Sequence, residues 1–171
     1  MNIRIILVFL LTLSASTAMA ENPTDTNQAL SELSQLFYED QGTLGQETLN
    51  QSKLDFTLES LKEVNAYLEK VRSNKELESS WNRVVLRAGA YVGEVIRKND
   101  AKANWQWLDY ESAKALEPKF FETLGMSLSS AAVLYSKEKG FAFPLAKVEK
   151  FLINGLEDDV HFFATVAIRE K

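Results

Sequence analysis

Residues 86–95 read LRAGAYVGEV and place two glycines, Gly89 and Gly93, four apart inside a stretch with helical periodicity. Leu77, Trp81, Val84, Ala88, Tyr91 and Val95 are spaced by alternating fours and threes, which predicts a helix over about residues 77–98. At about 100° per residue, Gly89 and Gly93 fall beside Val85, Val92 and Ile96, on the flank of that apolar stripe. Each glycine costs up to ~1 kcal/mol in a helix interior. The pair therefore predicts a structural notch, onto which a neighbouring helix or strand packs closely. In lipid the same spacing suggests helix dimerisation, but no second apolar run beyond the leader is long enough to place this helix in a membrane.

Upstream, Leu54, Leu58, Leu61, Val64, Leu68 and Val71 form another helical stripe, and Ser52 followed by Asp55 resembles a capping box. The expected helix spans about residues 54–72. Ser73-Asn74 ends it, and the short turn to the next helix predicts an antiparallel helical hairpin. Residues 21–51 read as a polar N-terminal arm, with Leu30, Leu33 and Phe37 marking a short helix and GTLGQETLNQ (residues 42–51) a connector. The first twenty residues have the form of a secretory signal peptide: Arg4, the apolar run IILVFLLTL from Ile5 to Leu13, and small residues up to Ala18-Met19-Ala20. Cleavage is expected after Ala20, releasing an exported protein. With no cysteine in the chain, neither a lipoprotein anchor nor a disulfide is expected.

Downstream, the pattern changes from helix to sheet. WQWLDY (residues 105–110), KFFET (119–123) and AAVLYS (131–136) read as three antiparallel strands, the last followed by the turn KEKG. Pro144 opens a helix that runs to Asn154, with Gly155 just past its end. A last helix follows, with Glu157, Asp158 and Asp159 at its positive end and Leu156, Val160, Phe163 and Ala167 on its buried face; on propensity alone VHFFATVAI could be a strand. The expected fold class is α+β: one domain over residues 52–171, with an N-terminal helical hairpin, a small antiparallel sheet of about three strands and two C-terminal helices.

GAYVGEVIR closing a helix, the strand motif WQW, then FAFPLAKVEKFLING and an acidic start to the final helix together resemble an uncharacterised group of small bacterial α+β domains of unknown function. The resemblance covers about residues 77–165. It implies a bacterial source and hence the periplasm, and it carries no activity or site residues.

The chain is acidic, with a formal charge of −5, and loses one further positive charge with Arg4 of the leader. That balance provides no footprint for a nucleic-acid partner, and no helix carries a basic face for lying on a membrane. One histidine, His161, and no cysteine exclude the common zinc spacings and a thiol nucleophile, so no metal or other cofactor is expected. No G-x-S-x-G, P-loop or G-x-G-x-x-G occurs. The acidic cluster Glu157-Asp158-Asp159 lacks the interleaving of a calcium loop and reads as helix capping.

Two readings of function remain. In the first, the protein is a non-catalytic binding module, such as an inhibitor or immunity protein, whose partner is another protein or a cell-envelope component. Trp105 and Trp107 share one face of their strand; they either present an aromatic platform or pack into the core, which is the plainer alternative. Glu94 belongs to the same candidate set. The helical wheel turns it away from the apolar centre, near Arg87 and four residues before Lys98, so a surface ion pair or a bond tying the helix to the sheet is expected. The second reading is a small carboxylate-dependent hydrolase using Glu94, with a second acid such as Asp109, or His161. A deep pocket joining these groups would favour the enzyme, and a flat acidic or aromatic patch the binder.

Overall fold

Helix α3 (Trp81–Asn99) forms where the 86–95 stretch requires it, and in the computed structural model, which describes residues 23–39 and 49–169, it is the axis of the molecule. Every residue from Ala88 to Ile96 is buried. A helix buried on all sides needs small residues wherever neighbours approach closely, and Ala88, Gly89, Ala90 and Gly93 supply them. Over Gly89 lies helix α6 (Pro144–Asn154): a Cβ there would stand 2.9 Å from the Leu145 Cα. Over Gly93 lies the Trp107 indole of strand β1 (Gln106–Asp109), in the space a Cβ would occupy. One notch thus receives a helix and the other a strand.

Helix α1 (Pro23–Tyr38) is not an arm but part of the core. It packs most extensively on α3 and also covers β1. Leu30 and Phe37 are buried on its inner face, and the Phe37 ring lies against both Tyr67 and Tyr91, at 5.5 and 5.4 Å between centroids. Tyr67 belongs to α2 (Ser60–Ser73) and Tyr91 to α3, so Phe37 fits between the two helices expected to pair as a hairpin, and α2 packs chiefly on the later C-terminal helices instead. The expected start of α2 is also corrected. Ser52 lies in a single 3₁₀ turn, and residues 54–59 turn before the helix begins at Ser60, with Asp55 accepting from Thr57 and Phe56 in a left-handed conformation. The leader (1–20), Gly42 and Gly45 lie outside the described residues.

The sheet is three-stranded and antiparallel, in the order β1–β2–β3, with β2 at Ala132–Ser136 and β3 at Gly140–Ala142. The third strand is therefore the one following the KEKG turn, and KFFET belongs to helix α5 (Pro118–Leu124). Proline at its first turn and Gly125 at its end, φ 73°, override the β-propensity of the two phenylalanines. Helix α4 (Tyr110–Leu116) precedes it, started by the Asp109 side chain accepting from Ser112 N–H. Alternation gives the sheet two buried faces. Trp107, Leu134 and Ala142 join the main core around α3, while Leu108, Val133 and Phe121 form a second core with Tyr110 and Ala113 of α4.

Helix α6 ends at Gly155, φ 78°, as expected, and α7 (Val160–Ile168) is helical. Val160 and Ala164 form its buried side, with Phe163 and Ala167 partly buried, but Leu156 is exposed. Asn65 of α2 ties this helix down: it donates to the Asp159 carboxylate at 2.9 Å and accepts from Val160 N–H at 3.0 Å. Among the described residues, no helix is long and apolar enough to cross a membrane.

Candidate functional site

The close approach of Trp107 to Gly93 places the indole beside the next residue of α3, Glu94. Trp107 Nε1 donates to Glu94 Oε1 at 2.9 Å, and Arg97 Nη1 donates to the same oxygen at 2.7 Å. Arg97 Nε reaches the Trp105 carbonyl at 3.2 Å, and Trp105 Nε1 reaches Asp100 at 3.0 Å. Three sequence-selected residues, Glu94, Trp105 and Trp107, therefore meet where α3 crosses β1. A polar cleft of about 410 Å³ opens there, lined by Ser31, Glu94, Arg97, Asn104, Trp105 and Gln106 among others.

The arrangement corrects two expectations. Glu94 is 5% exposed, because β1 covers the flank that a one-sided helical wheel assigns to solvent. Its ionic partner is Arg97, whereas the Lys98 ammonium lies 3.7 Å from the centroid of the Phe56 ring. The expected bond tying helix to sheet is present, from Trp107. Trp105 and Trp107 share a face, and the plainer alternative, core packing, is the one found: they are 4% and 0% exposed.

The other titratable candidates lie apart from Glu94. Asp109 caps α4 through Ser112. His161 sits in the first turn of α7, and neither residue lines the cleft. Asp159 caps α7; burial pushes its carboxyl up, but the bonds from Phe162 N–H and Asn65 outweigh this and hold it below the usual range. Asp158 is held below that range by Asn154 and Lys147, at 2.7 and 2.8 Å. These acids are engaged in capping and pairing, as their position before a helix predicts. Among the described residues, no group of three or more His, Asp or Glu is placed to hold a metal ion.

What the sequence reading missed is apolar. Phe120 and Val166 are each 50% exposed and Phe162 63%, with Leu116, Leu124, Met126, Ile153 and Leu156 also exposed. Phe143, Phe163 and Val166 line one groove of about 260 Å³ beside β3, and the Phe120 ring packs against Phe143 at 5.9 Å between centroids. An apolar strip thus runs from α5 across the β3–α6 junction to α7. Its signal was available in VHFFATVAI, a helix too apolar all round to be buried on one side alone. No family model, curated protein or solved structure matches the chain.

Proposed function

We propose that this chain is an exported, non-catalytic binding module of the bacterial periplasm that engages another protein through the apolar strip of α5, the β3–α6 junction and α7. The observation that carries this reading is the continuity of the strip: Phe120 against Phe143, and Phe143 with Val166 in one groove. Contiguous apolar surface left in water is costly and marks interaction sites. Export rests on the form of residues 1–20, and the bacterial source on the resemblance of residues 77–165 to small bacterial domains. An inhibitor or immunity protein is the kind of binder that suits the chain's size and acidity. The hydrolase reading finds less support, since the Glu94 cleft has no contribution from Asp109 or His161.

The test is affinity capture from periplasmic extract with the wild type, a Phe162→Ser/Val166→Ser variant and a Lys75→Ala control, each first checked for folding by circular dichroism. Exposed anchors of this type dominate interface energetics, so the double variant is expected to lose a protein that the wild type and the control both retain. Equal retention by all three would overturn the proposed surface. A wild type that captures nothing but hydrolyses a cell-wall or sugar substrate would replace the binder with the enzyme.

A further inference from the structure

The cleft at Glu94 is a second candidate binding place, separate from the apolar strip. The Glu94 side chain is 6% exposed, and both of its bonds, from Arg97 and Trp107, converge on Oε1. The second oxygen, Oε2, receives no hydrogen bond from the described residues. It is not sealed in either: among the described residues, the only fully buried side-chain polar atoms without a partner are Thr26 Oγ1 and Trp81 Nε1. Oε2 therefore keeps some exposure, and Glu94 lines the cleft. A carboxylate oxygen so nearly withdrawn from solvent demands a donor.

The surrounding groups restrict what the donor can be. Arg97 uses Nε and Nη1 internally, which leaves Nη2 unengaged among the described residues. Asn104 accepts from Gln106 at 3.1 Å through Oδ1, which leaves its amide N–H₂ as a donor. The cleft thus offers a carboxylate acceptor flanked by donors. Its charge is already balanced, because Arg97 neutralises Glu94 and Lys98 on the rim adds a surplus cation. A cationic ligand would meet that surplus, and an anionic one would meet Oε2 directly. A neutral hydroxyl can donate to Oε2 while a neighbouring hydroxyl accepts from Arg97 or Asn104.

We propose that this cleft binds a neutral saccharide, with one hydroxyl donating to Glu94 Oε2 and an adjacent hydroxyl accepting from Arg97 and Asn104. The volume of about 410 Å³ lies within the about 300–1,000 Å³ of small-molecule sites, and the polar lining suits a polar ligand. The open form of the cleft points to weak, about millimolar, affinity.

The test is ¹H–¹⁵N NMR titration of the whole chain with glucose, N-acetylglucosamine and maltose, and with glucosamine and glucuronate as charged comparisons. The Trp107 indole N–H reports directly, because it is bonded to Glu94. The expected result is a saturable shift of that signal with at least one neutral sugar and weaker binding of both charged ones. Glu94→Gln, which keeps the shape of the side chain, is expected to weaken binding about tenfold. Asn104 has φ 49°, so Asn104→Gly keeps the backbone while removing the amide, and is expected to weaken binding about threefold. No saturable shift with any of the three neutral sugars would overturn the proposal. So would tighter binding of glucosamine or glucuronate, or neutral-sugar binding unchanged in both variants.

Discussion

Gly93 is the residue on which the candidate site depends, because it allows the Trp107 ring to lie against α3 and reach Glu94. Replacing it with alanine gains up to ~1 kcal/mol of helix propensity but puts a methyl group where the rigid indole lies. Overpacking of this kind costs about 1–3 kcal/mol, so Gly93→Ala is expected to lower stability in urea denaturation despite the better helix former. A variant as stable as wild type would mean that the ring moves aside at no cost. The notch was legible in the sequence because a glycine pair inside a good helix has few inexpensive explanations. The position of Glu94 was not. A helical wheel assumes one buried side, and nothing local in LRAGAYVGEV reports that β1 returns to cover its other flank.

At the level of elements, Lys139 in the β2–β3 turn joins parts of the fold that are distant in the chain. Its ammonium pairs with Asp100 at 2.7 Å, just past the end of α3, and donates to the Ile168 carbonyl at 2.6 Å in the last turn of α7. The carbonyls of Ala167 and Arg169 lie at 3.3 Å. A cation at a helix C-terminus satisfies carbonyls that have no partner within the helix. Lys139→Met keeps the apolar stem and removes the charge. It is expected to cost about 1–3 kcal/mol and to speed amide hydrogen exchange in the last turn of α7. Unchanged exchange there would remove the clamp from the account. A lysine from a hairpin turn cannot be assigned to a distant helix by local pattern. The KFFET error was avoidable. Pro118 and Gly125 are the same proline-first, glycine-last signal that identified Pro144–Asn154, but the aromatic pair outweighed it. β3, three residues long, gives no periodicity to read.

For the whole molecule, the capping and bridging acids set the response to pH. Burial pushes the Asp100 carboxyl up, but the bonds from Lys139 and Trp105 outweigh it and hold the group below its ordinary range; Asp158 and Asp159 are lowered as well. A carboxyl whose folded pKa lies below its unfolded value of about 3.9 adds stability above that pH, and loses it as the pH falls through the folded value. Stability in urea is therefore expected to fall on going from about pH 6 to about pH 3, and Asp100→Asn to lose less over that interval than wild type. Equal slopes for the two proteins would show that Asp100 takes no part in the acid response.

The seating of α1 has a consequence in time. Asn27 accepts from the Trp107 backbone N–H at 2.9 Å and donates to the Gln106 side chain, sealing the outer edge of β1 with a helix from the other end of the chain. That bond spans 80 residues. At a synthesis rate of about 5–20 residues per second, about 4–16 seconds separate the emergence of Asn27 from that of its partner. Within that interval α2 and α3 emerge to meet Phe37, while β1 is still absent. Among the described residues, the helix made first thus gains its β1 contacts only after α2 and α3 have been made.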